Sequence, residues 1–247
     1  MRSIATCEES RPAPKRVMTA PSRRLNALTA LTADDLGVLN SLKGRMVAAG
    51  EVVCKGASAT DTPCFILSGW CARFSTGAGE ARQIVTLLLP GDNFGLGALP
   101  WAGDSLPVCA LSDAVLLDAT VVRNLARLRS ARHATLIEAC EKASWQDQTF
   151  ALNHIVRLSR QSAYQRVAHL ISELSERLRV VGLIDDDRFC LPVRQKTIAD
   201  ILGLSGVHFN RIARQMKQDG LVDFLRGAVR VLDEAKLKQM TGPVRVD

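Results

Sequence analysis

The clearest hydrophobic pattern in the chain lies within residues 193–216, VRQKTIADILGLSGVHFNRIARQM. Apolar residues recur there at spacings of three and four, which is the period of one face of an α-helix. Gly203 interrupts the pattern, and Ser205 stands where a helix N-cap accepts a backbone N–H from the following turn. The segment is therefore predicted to form two short helices joined by a tight turn. Their apolar residues are Ile198, Ile201 and Leu202, then Phe209, Ile212 and Met216.

The opposite face of the second predicted helix is polar and basic. It carries Asn210, Arg211 and Arg214, together with Val207 near the start of the helix. Two helices joined in this way form a helix-turn-helix, whose second helix enters the major groove of DNA. An ordinary helical hairpin with a solvated charged face would show the same pattern.

Flanking sequence favours the DNA-binding interpretation. Residues 219–232, DGLVDFLRGAVRVL, have the pattern of two short strands around the turn Arg226-Gly227, which predicts a hairpin wing. Residues 194–230 also hold more than twice as many Lys and Arg residues as Asp residues, an excess that phosphate binding requires. We therefore predict a DNA-binding winged helix-turn-helix domain over residues 162–247.

The residue composition and the apolar pattern change along the first half of the chain. Residues 1–24 contain Pro, Ser and Arg without periodicity and are predicted to form a flexible basic tail. Thr32 stands as the N-cap of a predicted helix over residues 34–42. Between residues 47 and 118, short apolar runs alternate with Gly, Pro, Asp and Ser, which is typical of a β-roll. We therefore predict a sensor-like β-roll domain over residues 25–130.

A long stretch without Pro or Gly follows the predicted roll. Its central part, residues 136–158, could form one helix longer than about 30 Å. Leu136, Ala143 and Phe150 recur there every seven residues, a spacing that suits packing along another helix. We interpret residues 131–161 as a long dimerisation helix, because readers of palindromic DNA act in pairs. The alternative is a long helix that packs only on its own β-roll.

Charge and cysteine distribution support a chain of two parts. The 247 residues carry a net charge of +7, of which +4 lies in residues 1–24, −1 in residues 25–159 and +4 in residues 160–247. This distribution is typical of a basic DNA reader attached to a near-neutral sensing or assembly domain. Seven scattered cysteines without a CxxC pair predict neither a disulfide framework nor a metal site.

The sequence predicts no membrane segment and no catalytic site. No run approaches the roughly 18 apolar residues that a membrane span needs. The N-terminus lacks the apolar segment of a secretory signal, so we expect a cytoplasmic protein. The Ser-His-Asp order, the HExxH motif and the phosphate-binding glycine pattern are absent as well. We expect that the protein is no enzyme and that it uses no cofactor and no metal.

The predicted order of β-roll, long helix, short helix and winged helix-turn-helix resembles the Crp/Fnr superfamily of bacterial transcription regulators. The resemblance extends from about residue 24 to residue 232. Residues 87–96, LLLPGDNFGL, are similar to the family's strand and turn around a Gly-Asp pair. Residues 160–174, RQSAYQRVAHLISEL, and 202–222, LGLSGVHFNRIARQMKQDGLV, resemble the hinge and reader helices of a subgroup common in alphaproteobacteria.

This resemblance implies an α+β fold with an N-terminal β-roll, a jelly roll of the cyclic-nucleotide-binding type. It also implies a long dimerisation helix and a C-terminal winged helix-turn-helix. The expected function is sequence-specific transcription regulation by a homodimer that binds a palindromic double-stranded DNA operator through the helix 205–217. An activator of this type would also contact RNA polymerase.

The effector pocket departs from the cyclic-nucleotide-binding members of the family. Those members follow the Gly-Asp turn with a Gly-Glu pair for the ribose and an Arg-Ser pair for the cyclic phosphate, whereas Gly95 is followed here by Leu96. Residues 92–122 contain no Arg or Lys, and a phosphate buried without a cation costs several kcal/mol. We assign Phe94, Leu96 and Trp101 to an effector pocket and expect an unidentified small-molecule effector other than cyclic AMP.

The predicted reader helix also differs from that of well-known members of the family. Well-known members present a Glu early in this helix to cytosine N4, and Val207 stands in the matching position with methyl groups that suit thymine. Arg211 matches the family's guanine-reading arginine, and Asn210 can reach adenine or a phosphate. Arg214, one turn further on, is expected to meet phosphate. The complete predicted DNA-binding set is Arg194, Gln195, Ser205, Val207, His208, Asn210, Arg211 and Arg214.

A second class of function fits the same domain order. In that alternative the β-roll is a ligand-binding regulatory module, and the C-terminal helices contact protein rather than DNA. The basic face of residues 206–214 and the predicted wing argue against it. Salt-dependent binding to duplex DNA separates the two functions.

Isothermal titration calorimetry with cyclic AMP and cyclic GMP should give no saturable heat. The physical reason is that Leu96 replaces the ribose-binding Glu and that residues 92–122 offer no cation to the phosphate. A saturable isotherm in the micromolar range for either nucleotide would overturn this expectation.

Overall fold

The computed structural model describes residues 18–56, 62–76, 82–96 and 106–241, and it confirms the predicted α+β class. No helix in these ranges is both long and apolar enough to cross a membrane. The helices are α1 (Ala20–Leu28), α2 (Ala33–Ser41), α3 (Thr120–Arg127), α4 (Ala134–Arg160), α5 (Ala163–Val180), α6 (Gln195–Ile201), α7 (Gly206–Gln218) and α8 (Glu234–Thr241). The strands are β1 (Gly44–Val47), β2 (Val52–Cys54), β3 (Cys64–Ser68), β4 (Cys71–Thr76), β5 (Arg82–Leu88), β6 (Asn93–Phe94), β7 (Val108–Ala110), β8 (Ala114–Asp118), β9 (Arg188–Cys190), β10 (Val222–Leu225) and β11 (Ala228–Val231).

The β-roll consists of two four-stranded antiparallel sheets around an apolar core. One sheet has the strand order β1-β8-β3-β6 and the other the order β2-β7-β4-β5. Ile66 of the first sheet and Leu88 of the second belong to the same buried cluster, so the sheets face each other. Cys64 and Cys71 also lie in this core, where burial raises the pKa of their thiols to about 11 and about 12. These cysteines therefore behave as small apolar residues.

The predicted start of the second helix is confirmed. The Thr32 hydroxyl accepts the N–H of Asp35 at 3.1 Å, and the Asp35 carboxylate accepts the N–H of Thr32 at 3.1 Å. This reciprocal capping box satisfies two backbone donors at the start of α2. The pattern is local, which is why the sequence alone revealed it.

The predicted tail is wrong in its last residues. Residues 20–24 belong to α1, which begins after the N-cap Thr19. Arg24 is buried, and the carboxylates that hold it come from Asp92 and Asp147, far along the chain. Local composition could not reveal such partners. The other predicted tail residues, 1–17, lie outside the described residues.

The helix α4 is 27 residues long and directs the predicted dimer face into its own protomer. Leu136 and Ala143 have no exposed surface and pack in one cluster with residues of α1, α2 and the β-roll. The guanidinium carbon of Arg177 lies over the Phe150 ring, 4.3 Å from the ring centre. The predicted dimer contacts of Leu136 and Ala143 are therefore wrong, whereas a dimer contact of the half-buried Phe150 stays a prediction. A seven-residue repeat identifies an apolar stripe but not the neighbour that covers it.

The C-terminal part confirms the predicted winged helix-turn-helix. Its sheet has the order β10-β11-β9, and Leu225 pairs with Ala228 across the predicted hairpin turn. The six predicted apolar residues of α6, α7 and their junction are all buried: Ile198, Ile201, Leu202, Phe209, Ile212 and Met216. The same cluster includes Trp70, Leu87 and Leu89 of the roll, so the roll and the helix-turn-helix share one apolar core.

Replacement of Leu136 by alanine should reduce the free energy of unfolding by about 2–5 kcal/mol, because it leaves a cavity in the core beside α1. The control Val121→Ala removes a side chain that is 44% exposed and should cost less than about 1 kcal/mol. Urea denaturation of both variants measures these values. An effect of Leu136→Ala as small as that of the control would contradict its burial within the protomer.

Candidate nucleic-acid interface

The helix α7 begins at a side-chain cap and is anchored by its apolar stripe. Ser205 Oγ accepts the N–H of His208 at 3.2 Å, and Gly203 supplies the positive φ of +64° that the preceding turn requires. Phe209 packs edge-to-face on Phe224 of β10, with ring centres 5.3 Å apart. The reader helix and the wing are thus joined by an aromatic pair.

The face of α7 opposite its apolar stripe is open to solvent. Val207 is 83% exposed, whereas His208 is half-buried. The exposed members of the predicted set are Arg194, Gln195, Ser205, Val207, Asn210, Arg211 and Arg214. The structure therefore presents nearly the whole set on α7 and at the start of α6, and contact of these residues with DNA stays a prediction.

The cations of this face differ from those nearby in their ion pairing. Lys217, at the end of α7, pairs with Asp223 of the wing at 2.8 Å. Within the ranges that the structure describes, no ion pair involves Arg194, Arg211 or Arg214. Unpaired guanidinium groups are available for phosphate oxygens or for the O6 and N7 atoms of guanine.

Two long-range hydrogen bonds fix the helix-turn-helix to α5. Tyr164 donates its hydroxyl to Asp219, just after α7, at 2.6 Å. Arg166 donates to the carbonyl oxygens of Gln161 at 3.0 Å and Leu202 at 3.2 Å, which joins the hinge before α5 to the end of α6. Sequence analysis missed both contacts, because the partners are 55 and 36 residues apart and follow no periodic pattern.

Two of the three residues predicted for an effector pocket pack in different clusters. Phe94 packs in the core between the two sheets, whereas Leu96 packs in the separate core beside α1 and α4. Trp101 lies outside the described residues. A cavity of about 290 Å³ lies at the junction of α1, α4, α5 and the turn after β5. Its lining includes Arg24, Leu28, Asp92, Phe150, Glu173 and Arg177.

Comparison with known proteins gives matches to the reader domain and to most of the chain. Residues 165–240 match the family of Crp-like helix-turn-helix domains. The chain is 24% identical over 216 residues to the transcriptional activator protein FnrA of Stutzerimonas stutzeri. The aligned region covers 86% of this chain and 86% of FnrA. It is 26% identical over 205 residues to the nitrogen fixation regulation protein FixK of Bradyrhizobium diazoefficiens, which covers 80% of this chain and 82% of FixK.

The fold has a solved counterpart in FixK2 from Bradyrhizobium japonicum. The two structures align with a TM-score of 0.68 at 19% identity, over 83% of this chain and 99% of FixK2. The order of elements described above, the matched reader domain and the similarity to FnrA and FixK agree with one another. Residues 165–240 thus match the Crp-like helix-turn-helix domain, and over most of its length the chain is similar to transcription regulators of the Crp/Fnr type.

Proposed function

We propose that the protein is a homodimeric regulator that binds a palindromic operator by placing α7 in the major groove. The observation that carries this proposal is the exposed face of α7. There Arg211 and Arg214 project without an acidic partner among the described residues, next to an intact wing. An α-helix fits the width of the major groove, and free guanidinium groups supply the donors that its base edges and phosphates accept.

Different positions on this face do different work in the proposed complex. Arg211 donates two hydrogen bonds to the O6 and N7 atoms of a guanine, and Val207 places its methyl groups on a thymine methyl. Arg214 is one helical turn further from the start of α7 and binds a phosphate. Arg194 and Gln195 begin α6, the helix that crosses the DNA backbone in a helix-turn-helix.

Dimer formation uses the face of α4 that the protomer leaves exposed. Trp145 is 70% exposed, Leu152 50% and Ile155 61%. Trp145 and Leu152 are seven residues apart and Ile155 follows three residues later, so the three side chains share one helix face. A second copy presents the same stripe by two-fold symmetry. Full burial of an aliphatic side chain of this size contributes about 1.5–3 kcal/mol.

Further partners of the proposed regulator follow from its class. FnrA is named a transcriptional activator, so the proposal includes contact with RNA polymerase when this protein activates. The effector remains an unidentified small molecule, and the separation of Phe94 from Leu96 gives no support to a pocket at the position that the sequence suggested.

Selection from a library of random DNA duplexes tests the proposal directly. The full chain should enrich duplexes with two inverted half-sites, and its binding should weaken steeply as salt rises, because phosphate contacts release counterions. If no duplex is enriched and salt has no effect on binding, the proposal fails. That result would favour the alternative in which the C-terminal helices contact protein rather than DNA.

Replacement of Arg211 and of Arg214 by alanine should have different effects on the selected duplex. Arg211→Ala should reduce the free energy of DNA binding by about 1–3 kcal/mol and relax the preference at one base pair of each half-site. Arg214→Ala should weaken binding to all DNA sequences alike. It should also reduce the slope of log affinity against log salt concentration by about one unit per monomer. Binding to single-base operator variants at two salt concentrations measures both. Uniform weakening by Arg211→Ala, with base preference intact, would show that its assigned role is wrong.

Replacement of Ile155 by glutamate should give monomers, because it places a charge in the centre of the proposed apolar interface. Val121→Glu adds the same charge to another exposed apolar position, on α3, and should leave the dimer intact. Sedimentation velocity at micromolar concentration distinguishes the two states. A monomeric unmodified protein under those conditions would contradict the proposed dimer.

A further inference from the structure

The Gly-Asp turn between β5 and β6 lies where α1, α5 and the roll meet. Gly91 has φ of +96°, and a Cβ atom there would lie 2.9 Å from Val181 Cγ1 and 3.2 Å from the carbonyl oxygen of Ala20. The turn is therefore held closely between the start of α1 and the end of α5. Asp92 is only 2% exposed, and its carboxylate accepts the N–H of Leu89 at 2.6 Å.

Two arginines from different parts of the chain bind the Asp92 carboxylate, and their side chains are only 7% and 8% exposed. Arg24 of α1 donates to one carboxylate oxygen, and Arg177 of α5 donates to the other. Arg177 also donates to the carbonyl oxygen of Leu87 at 3.1 Å and to Glu173 at 3.1 Å. One side chain of the turn thus joins both α1 and α5 to the roll.

The ion pairs continue beyond Asp92 into a wider network. Arg24 donates to Asp147 of α4 at 2.9 Å, and Arg157 of α4 donates to Glu173 at 2.5 Å. Burial disfavours the charged form of Arg24, but the carboxylates of Asp92 and Asp147 outweigh this and raise its pKa. The loss of any one charge would leave its partner buried and uncompensated, so these side chains depend on one another.

The contact between the roll and the helix-turn-helix has two components of different character. The shared apolar core, which includes Leu87 and Ile198, stabilises the contact but does little to fix rotation, because apolar packing is not directional. The planar guanidinium of Arg177 donates to three acceptors at once, Asp92, Leu87 and Glu173, and therefore fixes direction as well as distance. Rotation of α5 about its axis would move that guanidinium away from Asp92 and from Phe150 together.

We propose that Asp92 is a positioning residue for DNA binding, because its pair with Arg177 holds α5 and the helix-turn-helix in one orientation on the roll. The DNA part of this inference rests on the proposed function. The orientation of α5 passes to the reader helix through the Tyr164–Asp219 and Arg166–Leu202 hydrogen bonds. In a dimer, that orientation sets the separation of the two reader helices and therefore the half-site spacing that is preferred.

Asp92→Asn and Arg177→Gln, alone and combined, test the inference in the full-length protein. Hydrogen–deuterium exchange should show faster uptake in β5 and α6, whose contact the pair stabilises, and unchanged uptake in α2. The double variant should change uptake by less than the sum of the two single variants, since both changes break the same pair. Arg179→Gln is the matched control, because it removes an exposed arginine of the same helix that pairs with Glu234 at 2.7 Å.

DNA binding provides the second measurement, with the duplex enriched from the random library as probe. Asp92→Asn should lower its affinity by about tenfold. It should also reduce the preference for the selected half-site spacing over spacings one base pair longer or shorter. Unfolding would lower the active fraction but would not change that preference. If Asp92→Asn does not fold, Arg177→Lys takes its place, because it keeps the charge and loses the planar set of donors that reaches Asp92, Leu87 and Glu173.

Unchanged exchange in β5 and α6, or equal changes in the Arg179→Gln control, would overturn the role of Asp92. Altered exchange with an unchanged spacing preference would overturn its role in DNA positioning. If no duplex is enriched from the library, the proposed function and the DNA part of this inference both fail. The exchange experiment then still decides whether Asp92 fixes the domains.

Discussion

A carboxylate inside a protein requires cations or N–H groups around it, and the position of Asp92 imposes this requirement where the two domains meet. Its partners Arg24 and Arg177 come from the helix before the roll and from the helix that leads to the reader domain. The roll, α1 and α5 must therefore assemble together for the Asp92 carboxylate to be paired with both arginines. The arrangement makes the two domains mutually dependent, although each has its own secondary structure.

The parts of the fold that could be predicted from sequence have local determinants. The helix-turn-helix depends on one glycine turn, the Ser205 cap and two apolar stripes, all within about 25 residues. The capping box of α2 likewise needs only Thr32 and Asp35. Such features follow from spacing, because neighbouring residues on a helix meet whatever the rest of the chain does.

The errors had a common physical origin in contacts between distant segments. Arg24 in a basic, proline-containing segment gave no sign of a helix, because its stabilising carboxylates belong to the roll and to α4. Once α1 was missed, the Leu136 stripe of α4 had no visible partner within the protomer and was assigned to a second copy. The sequence contains two stripes of similar period on α4, and only the packing of α1 and α2 decides which one is covered.

The distribution of thiols has a practical consequence for experiments on this molecule. Five of the six cysteines in the described ranges are buried: Cys54, Cys64, Cys71, Cys109 and Cys140. Cys190 is exposed on β9, a few residues before α6. A thiol-reactive dye added to the folded protein will therefore react, among these six, at a position inside the helix-turn-helix domain, on the strand that pairs with the wing. Its fluorescence can report on events at the wing in the unmodified sequence once Cys7, outside the described residues, is accounted for.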